Sequence, residues 1–194
     1  MPLIWIIVAV FALGCLGYVL GRQRAVSSAG GDIRILHSLP NYYGMNAFLF
    51  AVVPSLLVLV VWLLVQPVVI QRQVTQLIPD SAAQDAGQLS LIMSDVRRVA
   101  DGLDLAVEQG ALSREEARMI RTEFTNIRDT LARIGVALGD DVSADVLRAA
   151  QRYRSLQTTG NTIMTAVVLI LAALGLGFAY SRIHKDFRAR NTVE

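Results

Sequence analysis

The side chains that could do covalent or metal chemistry are few and scattered. Among 194 residues there are two histidines, His37 and His184, and one cysteine, Cys15. A metal centre or proton relay needs several such groups close together. His37 has no second histidine or cysteine near it in sequence, so it reads as a hydrogen-bonding residue at a membrane surface. A lone cysteine inside an apolar run excludes an intrachain disulfide and a thiolate cluster. The adjacent Asp140 and Asp141 offer oxygens to a cation, but a solvated turn accounts for them more simply. No glycine-rich phosphate loop, no Ser/His/Asp set and no acid pair in a catalytic setting occurs. These residues predict no enzyme, no cofactor and no resident metal.

What the chain has instead is apolar surface. Hydrophobic residues make up 54% of it and mean hydropathy is +0.47. The excess is gathered into three blocks, which is the composition of a membrane protein. The middle block, residues 47–65 (AFLFAVVPSLLVLVVWLLV), carries no charge, and its one hydroxyl is that of Ser55. At about 1.5 Å per residue such a run covers the roughly 30 Å hydrocarbon core of a bilayer. Residues 3–20 form the first block, with Trp5 and Tyr18 near its ends as interfacial aromatics. A cleaved signal peptide would need a basic n-region and a small-residue cleavage site; here only Met1 and Pro2 precede the run, and Arg22 and Arg24 follow it. Residues 163–180 form the third block.

The fold class that follows is an all-α membrane protein. Three transmembrane helices are expected at 1–21, 45–70 and 161–181, with an extramembrane helical hairpin or small bundle at 71–160. Residues 22–44 are a connection that opens flexibly around Ser27–Gly31, and residues 182–194 are a basic tail. Pro54 and Pro67 each remove a backbone donor from the second span and predict kinks there.

The long segment is patterned as helices. Leu89, Ile92, Val96, Val99, Leu103 and Ala106 recur at alternating spacings of three and four, an amphipathic helix that should end near Gly110. Ser113 and Glu116 then form a capping box. Ala117, Ile120, Phe124, Ile127, Leu131, Ile134 and Leu138 continue at heptad spacing, which predicts coiled-coil-like packing in a helical hairpin, with Gly139 past its end. Val146, Ala149, Tyr153 and Leu156 line a further helix whose phase runs into the last span, with Thr158–Thr162 as the point of interruption.

Glycine and alanine spacing marks candidate helix-packing positions. Gly17 and Gly21 stand in a GxxxG pattern and Ala173 and Gly177 in a small-xxx-small pattern, both of which let another backbone approach closely. A dimer contact is one reading, and the ordinary frequency of glycine in membrane helices is the other.

Charge sets the expected orientation. Residues 71–159 hold 11 Arg against 13 Asp and Glu. Arg22, Arg24 and Arg34, and the tail's Arg182, Lys185, Arg188 and Arg190, sit beside spans, where positive charge favours the cytoplasm. That places the N-terminus outside, 22–44 inside, 71–160 outside and the C-terminus inside. Charges so placed orient a protein in a lipid bilayer and form no nucleic-acid face. No Asp, Glu, Lys or Arg falls within the three apolar runs, so the residues that mark an ion path are missing from them.

The connection carries a recognisable motif, Leu36, His37, Ser38, Leu39, Pro40, Asn41, Tyr42, Tyr43 and Gly44, with Pro40 breaking any helix and Asn41 free to cap the next. Together with LGYVLGRQRA at 16–25 and the uncharged span that follows, it resembles the N-terminal extension of proteobacterial PstC-type permease subunits of phosphate ABC transporters. The resemblance covers essentially the whole chain, and its specific part is the GRxRA and LHSLPxYYG pair. It implies an accessory module in an inner-membrane phosphate importer. The implied partners are a second permease subunit, a cytoplasmic ATPase and a periplasmic phosphate-binding protein. In that family a permease core with the ATPase-coupling loop follows such an extension, which makes a fragment or split subunit the expectation and assigns no phosphate-contacting residue here. Two other classes fit the architecture: a receptor or sensor input domain whose outer hairpin binds a ligand or partner, and a membrane scaffold pairing through the Ala117–Leu138 heptads.

Overall fold

Apolar length dictates the main elements. The computed structural model describes residues 2–79, 85–120, 132, 135 and 143–184. Its helices are α1 (Leu3–Ser28), α2 (Pro40–Thr75), α3 (Ala86–Glu108), α4 (Arg114–Met119) and α5 (Ala144–Arg182), with a short 3₁₀ turn at Ile33–Ile35. There is no strand among the described residues. The chain is all-α, and α1, α2 and α5 are each long and apolar enough to cross a membrane. At about 1.5 Å per residue, the 36 residues of α2 and the 39 of α5 exceed a hydrocarbon core of roughly 30 Å, so each helix continues past its apolar run.

Helix ends follow local chemistry. α1 runs through Ser27 and Ser28, further than the flexible opening expected of that stretch. It closes at Gly30 (φ +62°), where the Gly31 amide donates to Val26 O and the Gly30 amide to Ser27 O. That pair of bonds is a Schellman motif, and only a residue tolerant of positive φ completes it cheaply. α3 ends the same way at Gly110, with Ala111 donating to Ala106 and Gly110 to Val107.

α2 begins differently from expectation. Pro40 is its first residue and Asn41 lies inside the first turn, so Asn41 is not the cap. Proline lacks the donor that a first-turn residue would leave unpaired, and its φ is already helical. Aspartate and serine caps open α3 and α5: Asp85 accepts from the Gln88 amide at 2.7 Å, and Ser143 from the Val146 amide at 3.2 Å.

α5 passes through Thr158–Thr162 without a break. Thr165 shows how such residues are held in a membrane helix, its hydroxyl donating to Asn161 O one turn back at 2.8 Å; a back-bonded hydroxyl is tolerated there. The heptad helix expected from Ala117 onward is interrupted at once. Ile120 (φ −57°, ψ 135°) is extended, so α4 stops at Met119. The remaining heptad positions Phe124, Ile127, Leu131, Ile134 and Leu138, together with Gly139, Asp140 and Asp141, lie outside the described residues, as do Lys185, Arg188 and Arg190.

The chain divides into two compact units, Met1–Leu64 with Asn161–Glu194, and Val65–Gly160. In the first, Ile6, Val10, Val52, Leu59, Met164 and Val168 form a buried cluster. In the second, Val74 of α2, Val96, Val99 and Leu103 of α3, and Leu147 and Ala150 of α5 form the core. The α3 face is the one its three-and-four spacing marks. Each large side chain buried there against water contributes about 1.5–3 kcal/mol. Between membrane helices that drive is absent, because lipid is as apolar as the partner, and close packing of small residues takes its place.

Candidate functional site at the polar ends of the spans

The first unit is tied together where α1 turns polar and α2 begins. After the Gly30–Gly31 turn, the Asp32 carboxylate accepts from the Arg34 amide at 3.0 Å and starts the 3₁₀ turn. That turn carries Leu36 back against a buried cluster of Ala25, Tyr43, Ala47, Ala179 and Ile183. Tyr43 is wholly buried, although a tyrosine in a polar connection would be expected at the surface.

Small residues let the backbones close around it. A β-carbon on Gly21 would meet Tyr43 O and the Ala47 β-carbon at 3.0 Å and Ile183 Cδ1 at 3.2 Å. One on Gly44 would meet Tyr18 O at 2.6 Å. Thus α1 and α2 touch through Gly21 and Gly44, and the third side is closed by Ala179 of α5 and by Ile183 just past its end.

The motif therefore has two faces. Leu36, Tyr43 and Gly44 pack inward, whereas His37, Leu39 and Tyr42 are exposed, with Ser38 and Pro40 between these extremes. The packing glycines also separate. Gly17 meets Leu176 and Ala47 O, so with Gly21 it serves contacts within the chain. Ala173 and Gly177 face outward, and nothing lies within 4 Å of a β-carbon at Gly177.

Two close approaches carry no GxxxG signature. Gly14 fits against Val52 and Phe48. Gly175 faces the carbonyl oxygen of Phe50, which a β-carbon would overlap. The second has a sequence signal: Phe50 is four residues before Pro54, so its carbonyl is the one a proline frees.

Positive charge gathers at this end. The Arg24 guanidinium stands 5.3 Å from the Tyr180 ring centroid and that of Arg182 5.2 Å from Phe178, within cation–π range. His184 Nδ1 is 2.7 Å from Arg182 O. Among the described residues no three His, Cys, Asp or Glu side chains come together as metal ligands.

The second unit carries its own polar ties. Arg154 of α5 reaches Asp104 of α3, Nη2 to Oδ1 at 2.6 Å and Nε to Oδ1 at 2.8 Å. Gln151 donates to Ile120 O at 3.0 Å, fastening the residue at which α4 stops. The expected capping box is complete: the Glu116 amide donates to Ser113 Oγ at 3.1 Å and the Ser113 amide to Glu116 Oε2 at 2.7 Å. The bond from the Ser113 amide, joined by that of its side chain, holds the Glu116 carboxyl below the usual carboxylate range.

Taken together, these groups pack helices and set charge beside a membrane. No curated protein and no solved structure matches the chain. A family described as phosphate ATP-binding cassette transporter matches residues 7–177. The match takes in nearly all of the three apolar runs and the whole segment between the second and third, and the chain belongs to that phosphate ATP-binding cassette transporter family.

Proposed function

We propose that the chain is an accessory membrane module of a phosphate importer permease, serving assembly or regulation of uptake and not itself the translocation path. The family match over residues 7–177 carries this reading. The composition of the spans supports the second half of it. They hold no charged residue, and a path for phosphate through lipid needs charged or strongly polar groups along it. The buried hydroxyl of Ser55 donates to Ala51 O at 2.7 Å and is satisfied within its own helix.

In this reading the module sits in the bacterial inner membrane, N-terminus outside, with Arg22, Arg24, Arg34 and Arg182 on the cytoplasmic side and residues 71–160 in the periplasm. Its partners are the second permease subunit, the cytoplasmic ATPase and the periplasmic phosphate-binding protein. It works as an anchor and not as an enzyme. Affinity purification of the tagged protein from its native membrane in mild detergent tests this. Recovery of an importer permease and its ATPase in stoichiometric amounts is expected, and recovery of the protein without either contradicts it.

A sensor input domain is the second reading. One observation favours it: α5 is a single helix from Ala144 to Arg182, so a displacement of its first turns would be carried along its length. A cytoplasmic signalling output among the co-purified proteins would select this reading.

A further inference from the structure

Along the outer face of α1, at the level where the helix passes from apolar to polar, lies an open groove of about 390 Å³. Tyr18, Val19 and Val26 line its apolar part; Arg22, Gln23 and Ser27 supply its polar part, and Gly31 completes the lining. The Ser27 hydroxyl already donates to Arg24 O at 3.1 Å, which leaves Arg22 and Gln23 as the donors facing outward. No described carboxylate pairs with Arg22. Asp32, the one acid in the connection, is turned to the Arg34 amide.

We propose that this groove holds one anionic phospholipid, its phosphate on the Arg22 guanidinium and the Gln23 amide and the start of its acyl chain along Tyr18 and Val19. The chemistry favours a lipid over a free anion because most of the groove's surface is apolar. It favours an anionic lipid over a zwitterionic one because the arginines at this end, Arg22, Arg24, Arg34 and Arg182, outnumber the carboxylates there. An unpaired guanidinium presents a planar fork that suits a phosphate oxygen pair. The proposal rests on α1 crossing the membrane and stands apart from the accessory role.

The test is native mass spectrometry of the full chain in mild detergent, equilibrated with equal amounts of phosphatidylglycerol and phosphatidylcholine of the same acyl length, with and without excess inorganic phosphate. The expected result is one retained phosphatidylglycerol in preference to phosphatidylcholine, undisturbed by phosphate. Arg22→Gln should reduce that preference about fivefold, the effect of one basic residue beside an anionic surface. Val19→Trp should reduce binding by filling the apolar part, and Gln23→Glu by repelling the headgroup. All three positions are exposed, so the helix contacts stay intact. Arg97→Gln, on α3, should change nothing. The proposal is overturned by an unchanged preference in Arg22→Gln or by unchanged binding in Val19→Trp, the latter meaning a diffuse attraction to charge. Displacement of the lipid by inorganic phosphate, which would make the groove an anion site, also overturns it.

Discussion

The carbonyl oxygen of Phe50 lies against the α-carbon of Gly175, so close that a β-carbon there would overlap it. Pro54, one turn after Phe50, has no amide to bond that carbonyl, and its ring crowds it outward. Glycine on the neighbouring helix accepts the displaced oxygen, and a Cα–H facing a carbonyl is a weak hydrogen bond common at helix–helix contacts. The proline and the glycine are therefore one feature, separated by more than half the chain.

Gly175→Ala should lower the thermal stability of the detergent-solubilised protein, at a cost of about 1–3 kcal/mol for overpacking. Gly177→Ala, facing open space, should stay within about 0.5 kcal/mol of the parent. Pro54→Ala returns an amide to Phe50 and should offset part of the Gly175→Ala loss, which a double-mutant cycle of melting temperatures would detect. Equal losses at Gly175 and Gly177 would contradict the contact.

Tyr43 and Tyr42 are adjacent in sequence but unlike in burial, 0% against 39% exposed. Tyr43→Ala should cost about 3–5 kcal/mol, as for other large buried aromatics. Tyr42→Ala should cost less than about 1 kcal/mol. Unfolding of the two variants compared in one detergent checks the difference.

In the second unit, Arg154 is mostly buried while Asp104 is half-exposed, with side-chain accessibilities of 13% and 58%. Asp104→Asn should cost about 1 kcal/mol, less in high salt because the carboxylate side of the pair is screened. A loss independent of salt would indicate that packing, not charge, holds the contact.

The Glu116 capping box gives a pH dependence of known sign. Its carboxyl titrates below its ordinary value of 4.5 because it accepts the Ser113 amide in the folded state. A depressed folded pKa contributes stability that is present above the unfolded value and lost as pH falls through the folded one. Hydrogen exchange at Glu116 and Ala117 should therefore accelerate, beyond the intrinsic pH effect, as pH drops below about 4.5. In Glu116→Gln this extra acceleration should be absent.

Local chemistry made much of this fold legible. The three spans, the α3 face, the end at Gly110 and the capping box all follow from residues within a turn or two of one another. Where the reading departed from the structure, a local rule met a competing one. Asn41 is a good cap, but Pro40 is a better first helical residue. The Thr158–Thr162 run looks like a break, but such hydroxyls can bond back to their own helix, as that of Thr165 does. Ile120 fits a heptad, yet the backbone turns extended there and Gln151 of α5 takes its carbonyl. Long-range contacts were the least visible. Gly17 and Gly21 showed that a backbone comes close, but not whose, and the neighbours are α2 and α5. The motif Leu36–Gly44 is legible as a string, while its division into a buried lock at Tyr43 and an exposed face at His37 is set by long-range packing.

Orientation can be checked by labelling. In a Cys15→Ala background, a membrane-impermeant thiol reagent applied to intact spheroplasts should modify Gln109→Cys and should reach His37→Cys only after permeabilisation. The opposite pattern would place the arginine-rich ends of the spans outside.

The most direct measurement is phosphate uptake by cells in which codons 1–180 have been removed from the chromosome with everything downstream kept in frame, grown at limiting phosphate. An accessory module predicts an importer that still translocates phosphate but assembles poorly or loses its response to phosphate supply. Complete loss of transport by a fully assembled importer would place the path in these residues, and unchanged uptake, assembly and regulation would leave the module without the role proposed.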